Sequence, residues 1–251
     1  MRKSKRTDMN FFYNELVENT IQDIKNREPE DGYMLGFSGG KDSVVVYTLA
    51  KMAGVKFTAH FAVTTVDPPD IIRFVKNEFP DVKFEKPLKT MRQLIIQKQM
   101  LPSRFMRFCC APLKEHLGIG RVMITGVRAE ESPNRAKRGK WVEWKKKNIS
   151  KTEKSSKKTS IQYNPILEWT NADVWRFIRQ HNLPYCKLYD EGWNRIGCIG
   201  CPMTSKKQRE MEFLKYPKIE KMYKDAIVEI FTRGNCSFNS AEDLWNWWMN
   251  S

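Results

Sequence analysis

Apolar and polar positions along the chain switch between two periods, and the switching predicts an alternating α/β pattern. Residues 8–27 place Met9, Phe11, Phe12, Leu16, Val17, Ile21 and Ile24 at helical spacing, which predicts an amphipathic N-terminal helix. Short apolar runs at 33–37, 57–63, 82–84 and 121–125 read as strands. Helical spacing returns between them at 43–53, 70–79, 89–99 and 112–117. Strands separated by helices predict a parallel sheet joined by crossover helices. After residue 160, Thr170-Asn171-Ala172-Asp173 resembles a capping box and opens a helix through His181. A loop rich in glycine and proline follows, then a helical stretch over 205–231 and an aromatic tail containing Trp245, Trp247 and Trp248. No internal repeat is present. The expected organisation is an N-terminal helix (1–30), a nucleotide-binding α/β core (31–136), a basic mobile loop (137–160) and a mostly helical C-terminal part (161–251).

The junction of the first strand and its helix reads Gly36-Phe37-Ser38-Gly39-Gly40-Lys41-Asp42-Ser43. Two glycines let the backbone approach a phosphate closely, and the N–H groups of a helix start face the anion. Ser38 and Ser43 add hydroxyls, Lys41 adds positive charge, and Asp42 is placed to help hold Mg²⁺. The spacing is neither that of a Walker loop nor that of a dinucleotide fold.

Charge and cysteine content sharpen this. The chain carries a net +15, and residues 137–160 hold ten Lys/Arg against Glu143 and Glu153. So much charge suggests a polyanionic partner. The stretch reads either as a solvated loop or as an arm for nucleic acid, with Trp141 and Trp144 beside it as candidate base-stacking residues. Nothing resembles a signal peptide or a membrane span, so a cytoplasmic protein with no membrane partner is expected, with its six cysteines serving metal or redox chemistry. Cys109-Cys110 and the C-x-x-C of Cys198 and Cys201 are two pairs able to bind zinc or a [4Fe–4S] cluster. Adjacent cysteines diverge, which suits a larger cluster better than a compact zinc tetrahedron. Cys186 reads as a packed thiol, and His60, His116 and His181 are too scattered for a metal site.

The Ser38–Ser43 segment resembles the signature of the PP-loop ATP pyrophosphatases. The Cys-Cys…C-x-x-C pattern resembles the iron–sulfur sulfonucleotide (APS/PAPS) reductases of the same superfamily. Thr64-Thr65-Val66-Asp67, Gly126-Val127-Arg128 through Arg135, and Asn164-Pro165-Ile166 through Trp175 resemble further superfamily elements. The resemblance covers about residues 30–205. It implies a parallel sheet with flanking helices and a nucleotide held by Ser38–Ser43, Thr64, Asp67, Gly126 and Arg128. It also implies catalytic roles for Lys41, Asp42, Arg128 and Arg135, and a [4Fe–4S] cluster (zinc being the alternative) on Cys109, Cys110, Cys198 and Cys201. The glycine loop is intact, as expected for ATP. Cys236 is the one tail candidate for the nucleophile of a reductase, and it lacks the Glu, Leu and His that flank that cysteine in the family. These departures favour an ATP pyrophosphatase like those of DNA phosphorothioation and tRNA thiolation, which adenylates nucleic acid (DNA or tRNA) for sulfur incorporation. Such an enzyme would work with a sulfur donor such as a cysteine desulfurase. The alternatives are an APS/PAPS reductase working with thioredoxin, and a non-catalytic nucleic-acid binder on the same scaffold.

Overall fold

The computed structural model describes residues 2–115, 117–118, 120–145, 159–234 and 238–250. In chain order its elements are α1 (Arg2–Asn26), β1 (Tyr33–Gly36), α2 (Lys41–Ala53), β2 (Phe57–Ala62), α3 (Pro69–Glu78), β3 (Lys83–Glu85), α4 (Met91–Lys98), α5 (Cys110–Leu113), β4 (Val122–Ile124), α6 (Pro133–Ala136), β5 (Trp141–Lys145), β6 (Thr159–Tyr163), α7 (Asn171–Gln180), α8 (Lys206–Lys215), α9 (Pro217–Thr232) and α10 (Ala241–Asn250).

Six strands form one sheet in the order β3-β2-β1-β4-β6-β5. Every neighbouring pair is parallel except β5 with β6. Leu35 faces Ala59 on one side and Ile124 on the other, so β1 lies at the centre. Helices on the faces cover a strand on both sides, which is why Tyr33, Leu35 and Phe37 are all buried although they alternate with buried Met34. The α2 helix carries Val44-Val45-Val46, a run of β-branched residues that lowers helix propensity. It forms nonetheless, because the sheet, α1 and α7 surround it and all three valines are fully buried. Tertiary burial overrides local preference here.

Two sequence expectations change. The stretch from residue 137 is not all loop: Trp141–Lys145 form β5, antiparallel to β6, with Trp141 opposite Tyr163 and Lys145 opposite Thr159. The lysines hide a short strand whose Trp141 ring lies 5.6 Å from the Tyr163 ring. The basic residues 146–158 lie outside the described residues. The expected helix over 205–231 is broken, because Pro217 lacks an N–H and forces Tyr216 to φ −123°, ψ 64°. Two helices result. The aromatic tail docks as α10, with Trp248 fully buried and donating Nε1–H to the Pro102 carbonyl at 2.7 Å. No described helix is long and apolar enough to cross a membrane.

Candidate functional site

The phosphate loop leaves β1 at its carboxyl end, at the centre of the sheet, where open α/β sheets place ligands. Gly39 takes φ +72°, and a Cβ there would lie 2.7 Å from Val75 Cγ2 and 2.9 Å from Ile71. The loop is therefore pressed against α3. Gly40 caps α2 without a side-chain bond, and Gly126 packs on Asp42, whose carbonyl an added Cβ would meet at 2.8 Å. Ser43 is buried and donates to the Gly40 carbonyl at 2.8 Å, so its hydroxyl braces the loop from inside. Ser38 is exposed at the rim and donates to Ser43 Oγ at 3.2 Å. Among the described residues the N–H groups of Gly39 and Asp42 meet no internal acceptor.

The charged residues of the loop are already paired. Asp42 accepts from Lys41 Nζ at 2.9 Å and from Arg128 Nε at 2.6 Å. Arg128 is buried and also donates to Glu130 at 2.7 Å. Burial works against its charge, but Asp42 and Glu130 hold its pKa above the ordinary arginine value. Arg128 thus anchors the start of α2 to the turn after β4. Arg135 pairs with Glu131 one turn away. Glu131 also accepts the Arg128 N–H at 3.0 Å, so the two arginines belong to one network.

Beside the loop a cavity of about 180 Å³ opens over the ends of β1 and β2, lined by Gly36, Ser38, Ala62, Asp67, Lys114 and Gly197 among others. Asp67 is held by Thr64, which donates its N–H at 2.6 Å and its hydroxyl at 2.7 Å. Burial pushes the Asp67 carboxyl above its usual range, against those hydrogen bonds and the nearby Lys114 charge. Lys114 reaches solvent through the cavity although protein surrounds it, and the Cys198 thiol beside it keeps its pKa high.

The four expected metal ligands meet on this same side. Cys109 and Cys110 stand side by side and act on each other: Cys110, with Arg107 reaching its sulfur, is held below the usual thiol range, and Cys109 is pushed above it. Cys198 and Cys201 act electrostatically on Cys109 and on each other. Cys198 donates to Thr64 Oγ1 at 3.5 Å, and the Ile199 N–H donates to the Val66 carbonyl at 2.8 Å, fastening the C-x-x-C to the Thr64–Asp67 loop. Among the described residues no three His, Cys, Asp or Glu side chains stand close enough to hold one metal ion. Cys186 is a packed thiol, as expected. Cys236 and His116 lie outside the described residues. His60 is held between Glu85 and Thr58, and His181 lies against Phe177.

Four positions that contact the loop or the cysteines were not found in the sequence. Tyr189 accepts the Lys41 N–H on its hydroxyl at 3.0 Å, placing a residue of the C-terminal part inside the phosphate loop. Lys114 and Arg107 supply counter-charge to the thiols, Arg107 reaching Cys110 Sγ at 3.5 Å. Glu212 is buried and accepts the N–H of Gly200, inside the C-x-x-C turn, at 2.8 Å. The one available signal was the position of Lys114 and Arg107 next to the Cys-Cys pair.

An uncharacterized protein of Methanocaldococcus jannaschii is 27% identical over 92% of this chain, which spans about half (48%) of that protein. An adenosine 5'-phosphosulfate reductase of Lysinibacillus sphaericus is 28% identical over 77% of this chain and 84% of its own length. Among solved structures, Candida glabrata FMN adenylyltransferase shares the fold, with a TM-score of 0.52 at 14% identity over 75% of this chain and 63% of that one. The phosphoadenosine phosphosulfate reductase domain matches residues 32–204, and with that span and these motifs the chain belongs to the phosphoadenosine phosphosulfate reductase domain family.

Proposed function

We propose that this enzyme is an ATP pyrophosphatase that adenylates an acceptor, a nucleic acid, to prepare it for sulfur incorporation. The observation that carries the reading is the intact loop: Gly39 in its left-handed conformation, the N–H groups of Gly39 and Asp42 without internal acceptors, and Lys41 at the helix start. Such donors at a helix start suit the phosphates of a nucleotide. The adenosine end would occupy the cavity beside Asp67 and Lys114.

In the chemical step an acceptor oxygen attacks the α-phosphorus, the bond from that phosphorus to the α–β bridging oxygen breaks, and pyrophosphate leaves with Mg²⁺. The acceptor's proton goes to solvent or to a leaving phosphate oxygen. Asp42 holds two cations in the nucleotide-free chain. Asp42 would hold Mg²⁺, which would supply positive charge to the phosphates, and Lys41, released from Asp42, would neutralise the phosphate charge that develops. Arg128 would keep Asp42 in place, and Arg135 would steady the turn that carries Arg128. A sulfur donor would then displace AMP from the acceptor.

The donor types suit an iron–sulfur cluster, and the four thiols would have to draw together to hold it, since no three of them stand within reach of one metal ion among the described residues. Four thiols act on one another, and Lys114, Arg107 and Arg195 supply positive charge around them, as an anionic cluster requires. Cys109, Cys110, Cys198 and Cys201 would hold it. When bound, it would supply a site where sulfur can be carried or positioned.

A second reading, reduction of APS or PAPS, is favoured by the curated reductases among the relatives. One experiment separates the two. Anaerobically purified protein is given Mg-ATP with mixed RNA or DNA, or APS or PAPS with a dithiol reductant. Pyrophosphate from ATP, absent in Lys41→Ala, supports the proposal. Sulfite from a sulfonucleotide without pyrophosphate from ATP overturns it.

A further inference from the structure

The segment between α4 and α5 displays an aromatic ring beside the cysteine pair. Leu101, Pro102 and Ser103 are buried. The Ser103 N–H donates to the Met106 carbonyl at 3.2 Å, and the Met106 N–H donates to Ser103 Oγ at 3.1 Å, closing a turn over 103–106. Trp248 holds the base of the turn through the Pro102 carbonyl. Arg104 Nε holds its flank at 3.1 Å from the Pro202 carbonyl, one residue past Cys201. On this braced turn Phe105 is 98% exposed and Met106 53% exposed, and Met203, just beyond Pro202, is 46% exposed. Single exposed hydrophobes are ordinary, but three gathered on fixed backbone next to a reactive site mark an interaction surface.

The rim of this patch is cationic. Arg104 and Arg107 are exposed on either side of Phe105 and Met106, and Lys206 and Lys207 are exposed shortly after Met203. Glu115 is the carboxylate that acts on Arg107. An exposed ring flanked along the chain by two arginines suits an unpaired base with its flanking phosphates: the ring stacks on the base, and the arginines meet the backbone. A duplex offers no free base face for that stacking. Of the two tryptophans beside the basic stretch, the Trp141 ring is packed against Tyr163 with Arg27 over it.

We propose that the turn Arg104-Phe105-Met106-Arg107 is the docking platform for a single-stranded segment of nucleic acid, with a base on Phe105 and phosphates on Arg104 and Arg107. This rests on the acceptor being nucleic acid, and it brings that acceptor to Cys110 and Cys201.

Binding of a fluorescein-labelled mixed-sequence single strand of roughly 16 nucleotides, as RNA and as DNA, is measured by anisotropy for wild type, Phe105→Ala, Phe105→Trp and Arg104→Gln, with the matching duplex as control. Phe105→Ala is expected to weaken single-strand binding about five- to a hundredfold and to change duplex binding by less than about twofold. Phe105→Trp restores the affinity. Arg104→Gln lowers the slope of log affinity against log salt by about one. Thermal unfolding unchanged from wild type confirms that these exposed positions leave the fold intact. Single-strand affinity of Phe105→Ala within about twofold of wild type overturns the platform. So does wild type that binds no strand, whether or not it releases pyrophosphate from Mg-ATP. If Phe105→Ala binds strands normally but loses turnover with a sulfur-donating or reducing protein, the surface docks a protein and the proposal is wrong. Strand binding lost in Phe105→Ala supports the platform even where no pyrophosphate is released, so the platform and the ATP reading fail separately.

Discussion

Replacing Gly39 with alanine tests the geometry on which the phosphate loop depends, and Gly54 supplies the control. Both glycines are left-handed, at φ +72° and +68°. Alanine at either site takes a strained backbone costing about 1–2 kcal/mol, offset by about 0.4–1 kcal/mol from the stiffer unfolded chain. At Gly54, the cap of α2, an added Cβ meets nothing within 4 Å. Gly54→Ala should therefore cost only about 1 kcal/mol. At Gly39 the added Cβ meets Val75 and Ile71 at 2.7–2.9 Å, and both are buried on α3. Pushing them back should add about 1–3 kcal/mol of overpacking. Gly39→Ala should thus be worse by that difference, or about 3–9 °C in Tm at roughly 3 °C per kcal/mol for a chain of this size. Urea and thermal unfolding of the two variants, side by side, measure it. Gly39→Ala should also lose Mg-ATP binding, while Gly54→Ala, at the far end of α2, keeps it. Equal destabilisation of the two variants would mean that α3 yields freely, and the reasoning that requires glycine at 39 would be wrong.

Arg128→Met leaves Asp42 and Glu130 without their guanidinium and should cost about 2–4 kcal/mol, the lower part of the range for a broken buried pair because Glu130 is half exposed. Adding Asp42→Asn should recover part of that loss in urea unfolding. Tyr189→Phe frees the Lys41 N–H that the hydroxyl now occupies, so calorimetry should show Mg-ATP bound about two- to tenfold more tightly; weaker binding would mean the hydroxyl itself contacts the phosphates. Burial raises the Glu212 carboxyl from 4.5 to about 7, so the folded chain keeps a proton that the unfolded chain releases. Stability should then fall by about 3 kcal/mol as pH rises from 4.5 to 7 and level off above, and Glu212→Gln should flatten the profile in denaturation from pH 4.5 to 8.

Four of the five parallel strands were legible because they are short apolar runs between turns, each within a residue or two of its expected ends. The fifth, β6, Thr159-Ser160-Ile161-Gln162-Tyr163, which pairs with β4, is too polar to read as such a run and was missed. The glycine loop was legible for a different reason: few backbones need Gly-Gly before a helix start. What stayed hidden depends on residues far apart in sequence. Tyr189 meets Lys41 across 148 positions, and nothing local to Leu188-Tyr189-Asp190 marks its hydroxyl as a phosphate-loop partner. Arg128 read as a phosphate ligand, yet its buried position and two carboxylate partners appear only once β4 and α2 are side by side. The β5 strand escaped because lysines crowd it, although its Trp141 ring packs against Tyr163.

These long-range contacts make the nucleotide site and the cysteine region one mechanical unit. Tyr189 ties the segment before the C-x-x-C to the phosphate loop, and Ile199 ties the motif itself to the Thr64–Asp67 loop. Thr64 then touches both Asp67, which lines the cavity, and Cys198. Lys114 completes the circuit, acting on Asp67 from inside the cavity and on Cys198 behind it. A ligand that displaces the Tyr189 hydroxyl, or draws the Lys114 charge toward itself, must therefore alter the setting of the thiols by the same free energy with which the thiols alter its binding. Loading the cysteines with iron should change the affinity for Mg-ATP, and Thr64→Val, which cuts the shortest link, should reduce that change. Identical ATP affinities for iron-loaded and iron-free protein would show that the two halves share a wall but not a mechanism.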